Sequence, residues 1–245
     1  MKTKHEISLT AEQAGEVLAP IVGVVLGMKP EKVQYWIGRK KKLANEMRKI
    51  LIGDVNPYAD LLARYEQYSR DVYGKKQDFS GIIIPEAEEG FSWITPVPGS
   101  ESMTVEEIYY GIKNKLHPAW KWTDKSLDDV LDFSFGRDGW KDNYTVRFRP
   151  NHEADEDLKN LSANDIAGRK INTATIKERL WLGGFLYWSE KIILDRKTIT
   201  LCAGSRFSVG CVPSVCWVGH YGEMCVYWFK SGGASGRLRS RAAVS

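Results

Sequence analysis

Apolar side chains recur at three- and four-residue steps over much of the first part of the chain, which predicts helices with one buried face. Val33, Trp36 and Ile37 belong to one such run, and a further helix is predicted for Tyr58–Tyr73. A short polar linker separates these helices from the rest of the chain. The pattern therefore predicts an N-terminal helical region, residues 1–77.

Two helices in the remainder of the chain are marked by capping boxes, in which a Thr side chain and a Glu three residues later each accept a hydrogen bond from a backbone N–H group. Thr104 with Glu107 precedes the run VEEIYYGIKNKL, and Thr175 with Glu178 precedes IKERLWLGGFLYWSEKI. Between these two helices, Tyr144–Phe148 alternates polar and apolar side chains, as a strand does.

Short apolar runs broken by Pro and Gly begin after residue 78, and strand-like runs close the chain. Such runs are typical of strands joined by turns. The order of elements is helix, strands, helix, strand, helix and then hairpins, which predicts the α+β class. Residues 78–245 are accordingly predicted to form a second domain.

Two strand-like runs near the C-terminus each have one bulky, core-like face and one mixed face. Successive side chains of a strand point to opposite faces, so residues of one parity share a face. A solvated face normally carries Lys, Glu, Thr or Gln, and the mixed face does not. The core-like set is Val215, Trp217, Met224, Val226 and Trp228, and the mixed set is Ser214, Cys216, Val218, Cys225, Tyr227 and Phe229.

The mixed set and the adjoining loops share one property of the genetic code. All their residue types have codons that end in a pyrimidine, whereas Trp217, Met224 and Trp228 cannot be encoded that way. This difference indicates a segment whose codons were randomised at the first two bases. The aromatic residues Tyr221 and Tyr227 then belong to a recognition surface; the alternative is an ordinary core that covers both faces of the hairpin.

Composition places the chain among soluble globular proteins. Of its 245 residues, 43% are hydrophobic and 27% charged, and a net charge of +4 is too mild to indicate a nucleic-acid or membrane-surface partner. The N-terminus lacks the apolar core of a signal peptide, and the apolar stretch Val17–Met28 is shorter than the roughly twenty residues of a membrane span. We therefore expect a cytoplasmic or virion-associated protein with no membrane span.

Candidate chemistry is sparse. The cysteines Cys202, Cys211, Cys216 and Cys225 contain no Cys-x-x-Cys pair, so free thiols are predicted, with a disulfide such as Cys211 to Cys225 as the alternative. A cysteine activated by His220 is conceivable, but no fixed spacing supports it. The acidic run EADED is typical of a helix N-terminus, so we expect no metal and no cofactor.

Several C-terminal segments resemble the variable proteins of diversity-generating retroelements, which occur in bacteria, archaea and their viruses. They are EADEDLKNLSAND at 153–165, the helix containing IKERL, TLCAGSR at 200–206 and LRSRAAVS at 238–245. The resemblance implies a C-type lectin fold that does not depend on calcium. It also implies that the segment of about 204–245 is diversified by mutagenic reverse transcription, which replaces Asn codons with codons that keep the pyrimidine third base.

The resemblance divides this segment into scaffold positions, which hold the fold, and diversified positions, which bind the ligand. The implied scaffold positions are Trp217, Trp228, Arg239 and Arg241, and Cys202 is expected to be structural. The candidate diversified positions are Phe207, Val209, Cys211, Ser214, Cys216, Val218, Gly219, His220, Tyr221, Cys225, Tyr227, Phe229, Ser231, Gly232, Gly233, Ala234, Ser235 and Gly236.

These observations predict a non-enzymatic protein whose hypervariable surface binds a macromolecular ligand, a protein rather than a nucleic acid. Two alternatives stay open. One is an enzyme on the same fold, resembling the formylglycine-generating type, with a reactive pair among its cysteines. The other is a structural or nucleic-acid-binding component, based on the basic run RKKK at 39–42, which an exposed helix face also explains. The N-terminal helices are where a homo-oligomer would form.

Overall fold

The computed structural model describes residues 56–245, together with Gly27 and Lys29. The helices predicted before residue 56 and the basic run at 39–42 lie outside the described residues. The chain divides into two compact units, Met1–Pro57 and Tyr58–Ser245. The second unit contains the whole candidate diversified segment.

The unit Tyr58–Ser245 has the predicted α+β class. Its helices are α1 (Ala59–Tyr73), α2 (Val105–Lys115), α3 (Leu127–Val130), α4 (Ala163–Gly168) and α5 (Ile176–Glu190), with a 3₁₀ turn at Glu156–Leu158. Its strands are β1 (Trp93–Val97), β2 (Ala119–Lys121), β3 (Tyr144–Phe148), β4 (Ile199–Leu201), β5 (Val212–Val218), β6 (Glu223–Phe229), β7 (Leu238–Arg239) and β8 (Ala243–Val244).

The strands form two sheets. One is antiparallel, in the order β1-β3-β8, and the other is mixed, in the order β2-β6-β5-β4-β7. In the mixed sheet, β2 runs parallel to β6 and β4 runs parallel to β7. The antiparallel hairpin β5–β6 lies inside this sheet, with Val212 opposite Phe229 and Val218 opposite Glu223. This hairpin positions the candidate site.

Helix α1 belongs to the core of this unit. Its Tyr65 ring stacks on Phe185 of α5 with centroids 3.6 Å apart, and its Tyr68 ring lies 4.7 Å from that of Trp181. The predicted domain boundary at residue 77 would separate α1 from these partners, whereas the compact unit begins at Tyr58. Periodicity predicted the helix, but it carries no information about which distant segment covers the apolar face.

Both predicted capping boxes are confirmed. The Thr104 side chain accepts a hydrogen bond from the N–H of Glu107, and Thr175 accepts one from the N–H of Glu178; in each box the Glu side chain accepts from the Thr N–H in return. Glu178 is buried and also accepts two hydrogen bonds from Arg137, at 2.6 and 2.9 Å. The start of α5 therefore also anchors the loop that carries Arg137.

A buried ion-pair network connects α5 with the C-terminal segment. Asp195 accepts hydrogen bonds from Arg179 of α5 (2.8 Å), from Arg241 (2.6 Å) and from the Thr200 hydroxyl of β4 (2.5 Å). Burial by itself would raise the pKa of Asp195, but the two guanidinium groups outweigh burial and lower it. Arg241 also donates to the carbonyl of Asn151 (2.7 Å). The network therefore fixes α5, β4 and the C-terminal segment relative to one another.

Candidate functional site

Hairpin β5–β6 has the pairing that alternation predicts, but burial follows the position along the strands and not the face, because Val212–Val215 and Met224–Val226 are buried on both faces. Directly opposed residues of antiparallel strands share a face, so the pairs Val215–Val226 and Trp217–Met224 lie together. On this core-like face Val215, Val226 and Met224 are buried. The mixed face carries the opposed pairs Ser214–Tyr227, Cys216–Cys225 and Val218–Glu223.

The two tryptophans of the core-like face differ in environment. Trp217 is half-buried, packs edge-on against the His117 ring with centroids 5.2 Å apart, and donates its backbone N–H to the Asp195 carbonyl. Trp228 is 42% exposed, although its ring lies 6.2 Å from that of Trp122. The expectation of a buried scaffold residue is thus not met at Trp228. Alternation assigns a face, whereas burial requires another segment to cover that face.

The other scaffold candidates are held by internal contacts. Arg241 is buried in the network around Asp195, and Arg239 is half-buried and forms an ion pair with Glu156. Cys202 is fully buried, and this burial raises the pKa of its thiol. Both arginines and Cys202 therefore occupy sites where a change of side chain would disturb the packing.

Three candidate diversified positions, Phe207, Ser214 and Cys225, are buried. This differs from the expectation that they form part of a variable surface. Phe207 packs edge-on against Trp122 with centroids 5.6 Å apart, and Cys225 lies beside Trp120 of the neighbouring strand β2. These covering residues come from a distant part of the chain, so the local pattern did not reveal them.

The remaining candidates are half-buried or exposed. Tyr221 is 71% exposed, Val209 79% and Tyr227 45%. The half-buried candidates are Cys211, Cys216, Val218, Phe229, Ser231 and Gly233; the other exposed ones are Gly219, His220, Gly232, Ala234, Ser235 and Gly236.

A pocket of about 430 Å³ opens on the mixed face; we call it the hairpin pocket. It combines aromatic, small and charged side chains, a composition suited to holding part of a partner molecule. A second, smaller pocket of about 280 Å³ includes Phe207 and Val209. The hairpin pocket is lined by the candidates Ser214, Cys216, Val218, Gly219, Tyr227 and Phe229, by Trp217 and Trp228, and by Arg196, Ile199 and Arg237.

Trp120 extends the mixed face beyond the candidate diversified positions. It lies in β2, in register with Cys225, and is 40% exposed. Its ring centroid is 4.8 Å from that of Tyr227. The sequence pattern missed this residue because the parallel pairing of β2 with β6 joins segments that are far apart in the chain. The exposed Trp120 beside the exposed Tyr227 enlarges the aromatic contact area.

The cysteines of the closing segment are free thiols. Cys225 lies opposite Cys216 in the hairpin, so it does not form the alternative disulfide with Cys211. Burial raises the pKa of Cys225 to about 12 and also raises the pKa of Cys216. The ring contact of His220 is with Tyr221, at a centroid distance of 5.1 Å. The raised pKa values keep the Cys216 and Cys225 thiols protonated, which disfavours either thiol as a nucleophile.

Residues 56–245 contain no group of three or more His, Cys, Asp or Glu side chains placed to hold a metal ion. Carboxylates of the acidic run have other partners. Glu153 accepts hydrogen bonds from the N–H groups of Lys197 and Thr198, and Asp157 pairs with Arg149 at 2.6 Å. Over the same described range, no helix has the length and apolar character needed to cross a membrane.

A larger cavity, of about 760 Å³, lies away from the candidate positions. Its lining includes Ile82, Ile83, Trp140, Tyr144 and Val244, and none of the candidate diversified positions. Volume alone does not identify a binding site. We therefore take the hairpin pocket, which joins the candidate positions, as the candidate site.

No protein-family model matches this chain, and searches of curated proteins and of solved structures returned no match. The α+β class follows from the helices and sheets themselves.

Proposed function

We propose that this chain is a non-enzymatic ligand-binding protein with a C-type lectin-like fold, whose hypervariable surface is diversified by a retroelement and recognises a protein target. The observation that carries the proposal is the hairpin pocket, where the candidates Cys216, Val218, Tyr227 and Phe229 meet on one face. The exposed turn between β5 and β6, which contains Tyr221, adjoins these residues in the chain.

The proposed mechanism separates a constant support from a variable contact surface. Val215, Met224 and Val226 are buried behind the mixed face, so replacing Tyr227 on that face leaves their packing intact. A preformed backbone lowers the entropy cost of binding. Tyr and Phe side chains bring a large contact area with few rotatable bonds, and Gly and Ser add adaptable contacts.

The enzymatic alternative has less support. A reactive cysteine pair needs a thiolate near neutral pH, whereas burial raises the pKa values of Cys216 and Cys225. Both are also candidate diversified positions, and an enzyme cannot vary its nucleophile freely. Titration of the folded protein with a thiol reagent at neutral pH should therefore show no cysteine that reacts faster than an ordinary thiol, whereas a catalytic pair would give one.

We expect Trp217→Ala and Tyr221→Ala to have different effects on stability. Tyr221→Ala should change the free energy of unfolding by no more than about 0.5 kcal/mol, because an exposed ring loses little packing. Trp217→Ala should cost about 2 to 3 kcal/mol, because this half-buried ring packs against His117 and the core. Urea denaturation followed by circular dichroism measures both values. Equal destabilisation by the two substitutions would contradict the separation of support and contact surface.

Binding itself is tested with two displayed libraries of equal size. Randomising Val218, Tyr221, Tyr227 and Phe229 should yield folded binders when the library is selected against an arbitrary folded protein. The matched library, randomised at the buried positions Val212, Val215, Met224 and Val226, should yield few folded members, because it disrupts the core. If the first library tolerates change no better than the second, the proposal fails.

The proposed diversification by a retroelement is tested by the DNA sequence around the gene. A near-identical repeat of the closing segment, differing only where the template has adenine, should lie beside a gene for a reverse transcriptase. A genome without that repeat would exclude the mechanism of diversification, whereas the two libraries test binding independently of it.

A further inference from the structure

Two arginines outside the candidate diversified set line the hairpin pocket. Arg196 lies shortly before β4 and Arg237 directly before β7, and these two strands pair in parallel. Because parallel strands begin at the same edge of a sheet, both residues lie at one end of the pocket. Both are exposed. The hairpin pocket therefore joins a cationic end to a floor that includes candidate diversified side chains.

Neither arginine forms an ion pair with an Asp or Glu of residues 56–245. Arg237 donates from Nε to the carbonyl of Lys197 at 3.4 Å, a long contact that leaves its charge unneutralised. The carboxylate next to this segment, Glu153, already accepts hydrogen bonds from the backbone of Lys197 and from the N–H and hydroxyl of Thr198. The charges of Arg196 and Arg237 are thus available to a partner.

We propose that the cationic end of the hairpin pocket, formed by Arg196 and Arg237, binds carboxylate side chains of the protein target, so that targets are recognised through acidic segments next to apolar or aromatic side chains. This inference rests on the proposed function. The planar guanidinium group matches a carboxylate with two parallel hydrogen bonds. Phosphate groups of a nucleic acid would also satisfy arginine, but the net charge of +4 is small for a protein that follows a nucleic-acid backbone.

This arrangement divides the work of recognition between constant and variable residues. Arg196 precedes the candidate diversified segment, so every diversified variant keeps at least this charge, which attracts acidic surfaces and raises the encounter rate. The floor, which includes Tyr227 and Phe229, then decides which acidic surface fits. A constant electrostatic contribution would also let a new variant bind measurably before its variable contacts are optimal.

The test starts from a library of displayed random peptides, from which those that bind the full-length protein are selected. We expect the selected peptides to be enriched in Asp and Glu together with aromatic residues. For a selected peptide made synthetically, calorimetry should show that the double variant Arg196→Gln, Arg237→Gln binds about tenfold or more weakly. The parent affinity should also fall as salt is raised, because exposed charges are screened.

A matched variant controls for loss of net charge. Lys76→Gln with Lys115→Gln removes the same charge from exposed positions outside the pocket and should keep the parent affinity. Tyr227→Ala, made in the otherwise unchanged protein, should weaken binding of the peptide. This result would show that the peptide contacts the floor of the pocket.

The outcomes separate this inference from the proposed function. Peptides weakened by Tyr227→Ala but neither enriched in acidic residues nor affected by the arginine variant would overturn the inference and leave the proposed function standing. Peptides affected by neither change would count against both. A short single-stranded DNA that binds as tightly as the peptides, and loses its affinity in the arginine variant, would assign the arginines to phosphate and overturn the carboxylate assignment.

Discussion

A fragment that begins at residue 78 is expected not to fold, whereas the fragment 56–245 should unfold cooperatively. Helix α1 buries Leu62, Tyr65, Tyr68 and Val72 in the core of the second unit. Each such side chain contributes about 1.5 to 3 kcal/mol, and their sum is comparable with the total stability of about 5 to 15 kcal/mol of a typical domain. Near-ultraviolet circular dichroism and urea titration of both fragments provide the measurement.

The two fragments differ only in α1 and the short segments beside it, so any difference in their unfolding is due to these residues. Adding a peptide that contains Ala59–Tyr73 to the shorter fragment should restore part of the aromatic signal, since Tyr65 stacks on Phe185. A cooperative transition in the shorter fragment, at the same midpoint as in the longer one, would mean that α1 is dispensable. The domain boundary at residue 77 would then stand.

Asp195→Asn is expected to lower the free energy of unfolding by about 3 to 5 kcal/mol. The substitution keeps the size of the side chain, and Asn tolerates the positive φ of 59° at this position, so it removes mainly the charge. Arg179 and Arg241 would then be buried without their counter-ion, the case in which breaking an ion pair costs most. Thermal and urea unfolding at neutral pH test this expectation.

The matched control is Asp157→Asn, which removes a carboxylate that pairs with Arg149 on the surface. Exposed ion pairs contribute little, so this variant should melt close to the parent. If Asp195→Asn lowered the free energy of unfolding by less than about 1 kcal/mol, the ion-pair network would not be what holds the C-terminal segment in place. The hairpin would then depend on hydrophobic packing alone.

The candidate site was predictable in part. Alternation placed Cys216, Val218 and Tyr227 on one face, and the register of β5 with β6 brings them together. The same alternation placed Trp228 on the core-like face, where it is 42% exposed, because nothing in a strand pattern says how far the core extends. Trp120 was missed for the complementary reason: its neighbour Tyr227 is distant in the chain.

By itself the sequence determined the features that arise between residues a few positions apart. The capping boxes at Thr104 and Thr175 and the two faces of the hairpin are of this kind, since their physical causes are local hydrogen bonds and the geometry of the strand. The codon pattern of the mixed face likewise needs no structure.

Only the tertiary structure decided which segments cover one another. A Cβ atom at Gly184 would lie 2.0 Å from the Tyr68 hydroxyl, so this glycine lets α1 approach α5, although the two are far apart in sequence. In the same way, β2 brings Trp120 to the mixed face, and the paired strands β4 and β7 bring Arg196 and Arg237 to one end of it. Burial and charge at a surface depend on such long-range contacts, which a local pattern of residues does not contain.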